Sequence, residues 1–127
     1  MSHDPLARYW DWCGLWGGTG SAQDGRPVAI RMVVQRRLLD STLGMHFEAT
    51  SPDGAVLYHG VITAIGLTPT GQVRAATFST IHGSMVLDQT PDDDGVLALA
   101  GRSLRGNQIN VTIVEESANA LTFAALW

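Results

Sequence analysis

Turn-forming residues cut this chain into pieces too short for anything but strands. Gly, Pro, Asn and Asp suit tight reversals, and they cluster at 23–27, 39–41, 51–54, 68–71, 82–83, 90–95, 105–107 and 117–119. Between the breaks, apolar residues alternate with polar ones. Val28, Ile30, Met32 and Val34 share one face against Arg31, Gln35 and Arg37. Leu43, Met45, Phe47 and Ala49 oppose Gly44, His46, Glu48 and Thr50. Ile109, Val111 and Ile113 repeat the pattern, as do Leu121, Phe123, Ala125 and Trp127. A period of two marks strands with one face in a core, and about nine such strands are predicted.

The first residues depart from this rule. Leu6, Tyr9, Trp10 and Cys13 fall at helical spacing, with Asp4 as N-cap and Pro5 at the first helical position, so one short amphipathic helix is expected over 4–12. No later helix is long enough to cross between parallel strands, which excludes a parallel α/β sheet. The expected fold is a single all-β domain over 1–127, an up-and-down antiparallel β-barrel of about nine strands, closed or nearly closed on itself to remove its edges. A Greek-key sandwich is the competing arrangement.

Composition narrows the function classes. The 127 residues can bury a core without staples. With 45% hydrophobic and 16% charged residues the chain is globular, and no apolar run approaches a membrane span. Net charge is −4, every basic residue is an arginine, and only Arg36 and Arg37 adjoin, so no concentrated basic surface for nucleic acid is present. The lone Cys13 makes no internal disulfide and no secretory signal is visible, which sets a cytoplasmic expectation.

The segment Gly14-Leu15-Trp16-Gly17-Gly18-Thr19-Gly20 stands just before the first long strand. With Tyr58-His59-Gly60, Thr68-Pro69-Thr70-Gly71 and the closing Leu121-Thr122-Phe123, it resembles the lipocalin-like (calycin) barrels, in particular nitrobindin-like proteins and bacterial lipocalin-like domains of similar length. The resemblance spans nearly the whole chain. It implies a barrel with an interior ligand site, one end plugged by the first-strand tryptophan, here Trp16. Nitrobindin-like proteins hold haem through a histidine near the C-terminus, whereas this chain has none after His82. Fatty-acid-binding relatives carry an Arg-x-Tyr pair on a late strand, where this chain reads Phe123-Ala124-Ala125-Leu126-Trp127. No cofactor is therefore assigned.

The expected inward set is Met32, Met45, Phe47, Phe78, Met85 and Phe123, with Trp16 near one end. Aromatics and flexible methionines shape an adaptable apolar cavity. Arg36, in phase with Val34, together with His59 and His82, would supply the few polar contacts such a pocket uses. Arg36 has the alternative of leaving at the strand end, and the lumen has the alternative of being filled by its own side chains. The primary expectation is binding of a small, mainly apolar ligand. A second is an isomerase, cyclase or hydrolase using a pocket histidine and Arg36. A third is a homodimer packing through the outward Val33, Val86 and Val114. No nucleophile elbow, phosphate loop or metal-spaced histidine pair is present, Asp92-Asp93-Asp94-Gly95 reads as a solvated turn, and Cys13 reads as a packing residue.

Overall fold

Alternation becomes nine strands. The computed structural model describes residues 5–90 and 96–127. The strands are β1 (Gly14–Ser21), β2 (Pro27–Arg37), β3 (Thr42–Thr50), β4 (Leu57–Leu67), β5 (Val73–Ser79), β6 (Gly83–Gln89), β7 (Val96–Arg102), β8 (Gln108–Ser117) and β9 (Ala120–Leu126). Each pairs antiparallel with its chain neighbours in one sheet of order β1 through β9. The sheet curls into a half-barrel, and the inward rows Val28-Met32-Val34 and Leu43-Met45-Phe47-Ala49 are buried as the alternation requires. No helix among the described residues is long and apolar enough to cross a membrane.

The expected up-and-down antiparallel sheet is present, and it curls without its two edges joining. With nine strands running alternately up and down, β1 and β9 run in the same direction, and an antiparallel ladder cannot join them. Among the described residues the two edges carry no backbone pairing with each other. A second thin seam lies between β6 and β7, whose pairing among the described residues joins Leu87 with Gly101, Asp88 with Ala100 and Gln89 with Leu99 and continues in the Thr90 N–H donating to the Ala98 carbonyl at 2.9 Å. Gly101 is needed there, because a Cβ at this position would collide with the Val86 carbonyl oxygen.

One end of the half-barrel is sealed. Residues Ala7–Trp12 form a 3-10 helix with Leu6 as its N-cap residue, where an α-helix over 4–12 was expected. Asp4, the expected cap, lies outside the described residues. The geometry changes which side chains are buried. A 3-10 helix has three residues per turn, so Leu6, Tyr9 and Trp12 align, and each is about 1% exposed. The α-spacing had selected Trp10 and Cys13 instead. Trp10 is half-buried and Cys13 is exposed.

The plug is tied to the strand ends around it. Gln89 Nε2 donates to the Tyr9 hydroxyl at 3.1 Å, and Trp12 Nε1 donates to Glu115 Oε1 at 3.3 Å. The Arg36 guanidinium lies 4.7 Å from the Trp10 ring centroid. These contacts place the C-terminal ends of β2, β6 and β8 at the plugged end. The opposite ends, including the start of β4 and the ends of β5 and β9, surround the open mouth.

Trp12→Ala is expected to cost about 4 kcal/mol, the range for deleting a fully buried tryptophan. Cys13→Ser should stay within about 0.5 kcal/mol. Urea unfolding of both variants checks this, and the reverse ranking would restore the α-helical phase.

Candidate functional site at the open end of the barrel

The polar inner wall begins at the β5–β6 hairpin. Ser79 pairs with Gly83 across a connection of Thr80, Ile81 and His82, and Gly83 takes the left-handed φ of +76° that lets the chain re-enter the sheet. Ser79 Oγ accepts the backbone N–H groups of Ile81 at 3.1 Å and His82 at 3.2 Å. With both lone pairs occupied, its hydroxyl proton is left to point at His59 Nε2, 2.7 Å away on β4. The hairpin thus fixes His59 and carries His82 to the same rim.

Aromatic rings complete the mouth. The His59 and His82 centroids are 6.1 Å apart, and Trp127 stands edge-on to both, at 5.7 Å from His59 and 4.7 Å from His82. Below them Phe47 stacks on Phe123 at 4.3 Å. Deeper still, Thr63 and Thr77 face each other across β4 and β5 with hydroxyl oxygens 3.3 Å apart. The remaining inner wall includes Met32, Met45, Met85, Leu99 and Ile113.

Burial lowers the basicity of both histidines. Desolvation pushes His59 below its ordinary value of 6.5, and the neighbouring His82 acts in the same direction. His82 is pushed down by desolvation first and by the positive field of Arg105 second. Its Nε2 is buried and has no hydrogen-bond partner. Among the described residues no group of three or more His, Cys, Asp or Glu side chains gathers at one point.

Free space around the histidines has two parts. The interior cavity measures about 40 Å³, room for a few waters, because the side chains nearly fill the lumen. At the mouth it meets a groove of about 600 Å³, and Phe47, His59, Phe123, Ala125 and Trp127 line both. The groove's outer rim carries Tyr58 with the Arg26 guanidinium 4.3 Å from its ring centroid, and Arg26 is paired to Asp24 at 2.6 Å.

Seven of the residues singled out in the sequence line the cavity: Met32, Met45, Phe47, His59, His82, Met85 and Phe123. Three do not. Phe78 points outward and is 52% exposed, because Val73, Ala75, Thr77 and Ser79 hold the inner phase of β5. Arg74 shares the face of Phe78, and a charge marks the outer face more reliably than ring size. Arg36 leaves at the end of β2 and covers Trp10. Its partner Leu43 and the His59 partner Ala49 are six positions apart on β3, about 20 Å, so Arg36 cannot join the histidines. Trp16 stands toward the plugged end and donates to the Trp12 carbonyl at 2.7 Å, bracing a plug built by Leu6, Tyr9 and Trp12.

Thr63, Thr77, Ser79 and Trp127 were not singled out as site residues. The first three are small polar residues in an inward phase, and Trp127 continues the Leu121-Phe123-Ala125 row. Of the outer-wall valines, Val86 is 53% exposed, while Val33 and Val114 are half-buried. Asp92-Asp93-Asp94-Gly95 lies outside the described residues.

Comparison with known proteins found no matching family model, no matching curated protein and no matching solved structure.

Both histidines bind protons more weakly folded than unfolded. Their contribution to stability is present above pH 6.5 and is lost as pH falls through the depressed folded values. Asp24 and Asp53, held below the ordinary 3.8 mainly by hydrogen bonds, act in a more acid range. The urea midpoint should therefore fall between pH 7.5 and 5.0, and the slope should flatten in a His59→Phe, His82→Phe double variant.

Proposed function

We propose that this protein binds a small, mainly apolar ligand at the open end of a lipocalin-like half-barrel. The observation that carries this reading is the continuity of the apolar lumen with the mouth groove through five shared residues, at one end of a sheet whose other end is plugged. Concave sites with apolar walls and a few placed polar groups are the usual form of small-molecule pockets, and the groove lies within their usual range of size. Each 100 Å² of apolar ligand surface taken out of water is worth about 2.5 kcal/mol.

Binding is favoured over catalysis by how the polar groups are used. Ser79 Oγ is saturated by two backbone donors and His59, which leaves no lone pair to activate as a nucleophile. No arginine lines the lumen to stabilise developing negative charge. We place the protein in a reducing compartment such as the cytoplasm, in keeping with its exposed, unpaired Cys13.

The test is titration with N-phenyl-1-naphthylamine, a neutral apolar fluorophore. Saturable one-to-one enhancement is expected in the parent protein. Ala125→Phe, which fills the junction of lumen and groove, should weaken binding at least tenfold while the circular dichroism stays that of a β-protein. Absence of saturable binding, or binding indifferent to Ala125→Phe, would overturn the assignment.

A further inference from the structure

Of all polar side-chain atoms buried among the described residues, one has no hydrogen-bond partner: Nε2 of His82. Its surroundings make this informative. The other inner polar groups satisfy one another, Thr63 with Thr77 and His59 with Ser79. His82 itself is 8% exposed and lines the cavity beside Trp127. A buried polar atom without a partner costs about 1–3 kcal/mol, so retaining one in a wall that otherwise pairs its polar groups calls for a partner from outside the chain.

Resting on the binding reading above, we propose that the ligand is a neutral, flat aromatic molecule with a hydroxyl or N–H group, which donates to Nε2 of His82 while its ring lies among Phe47, Phe123 and Trp127. Three features select this class. An uncharged imidazole with its proton on Nδ1 offers Nε2 as an acceptor. The rings at the mouth favour stacked and edge-on aromatic contacts, as they already make with each other. Among the described residues the cavity lining holds no Asp, Glu or Arg, so a charged ligand would be desolvated there without a counter-ion from them. Arg26 at the rim is already paired to Asp24.

Three probes of one ring system separate the contributions: 1-naphthol, naphthalene and 1-naphthoate, measured by displacement of N-phenyl-1-naphthylamine. Naphthol should bind about tenfold tighter than naphthalene, the value of one well-placed hydrogen bond, and naphthoate should bind more weakly than either. In His82→Phe the naphthol advantage should vanish with naphthalene affinity unchanged, and His82→Gln, which restores an acceptor, should recover part of it. The comparison on the parent protein stands even where a variant fails to fold. Equal binding of naphthol and naphthalene, or tightest binding of naphthoate, which would make Arg105 or Arg26 a carboxylate anchor, overturns this inference and leaves the pocket standing. If N-phenyl-1-naphthylamine itself does not bind, the pocket falls and the inference with it.

Discussion

The seal at one end of the curled sheet is the constraint on which the rest depends. A half-barrel of nine strands has two rims and an unpaired seam, and left open at both rims it would expose its inner face to water throughout. Leu6, Tyr9 and Trp12 remove that exposure from one rim, since a 3-10 helix stacks every third residue on one face and these three are the largest fully buried side chains among the described residues. Bonds from Gln89 and to Glu115 tie the plug to strands distant in sequence. With that end dry and full, polar residues on the inner wall are tolerable only toward the other.

This explains the gradient along β4 and β5. The inward positions of β4 read His59, Val61, Thr63 and Ile65 from mouth to plug, and those of β5 read Val73, Ala75, Thr77 and Ser79 from plug to mouth. On β5 polarity rises toward the opening, on β4 the most polar residue, His59, stands nearest it with Thr63 deeper, and the Thr63, Thr77 and Ser79 hydroxyls each meet a partner on the neighbouring strand. The mouth is therefore a set of positions where the sheet carries polar groups already oriented by hairpin hydrogen bonds, which is the kind of rigid support a selective contact requires.

Strand identity was legible in the sequence because alternation and turn chemistry are local signals, and a short N-terminal helix was legible where alternation gave way to helical spacing. Phase was legible only where a strand carried strong contrast. On β3, Leu43, Met45, Phe47 and Ala49 left no doubt of the inner face. On β5 the inner face is small and partly polar, and the bulky Phe78 misleads unless Arg74 is used to mark the outside. The helix failed for a different reason: 3.6-residue and 3-residue periods agree over Leu6 and Tyr9 and diverge at Trp12, so six residues are too few to separate them. The pairing of His59 with Ser79, twenty positions away, and the approach of Trp127 to His82 follow from register, which spacing along a chain does not record.

Lumen and groove differ in volume by more than tenfold, and this bears on how a ligand would sit. A rigid molecule larger than about 40 Å³ could not enter the lumen, so the bulk of the proposed ligand would lie in the groove, with one edge at His59 where groove and lumen meet. Deeper entry requires wall atoms to move, and the wall has the means. Met32, Met45 and Met85 line the lumen with unbranched side chains of three rotatable bonds, which can exchange rotamers without shifting a strand. The unpaired stretch of β6 beyond Leu87 lies on the mouth side of the β6–β7 seam, where displacement breaks no ladder bond between those strands. A nearly filled lumen is therefore compatible with the proposed binding site: the methionines pack the interior, and their freedom would set how far a ring could penetrate past Phe47 and Phe123.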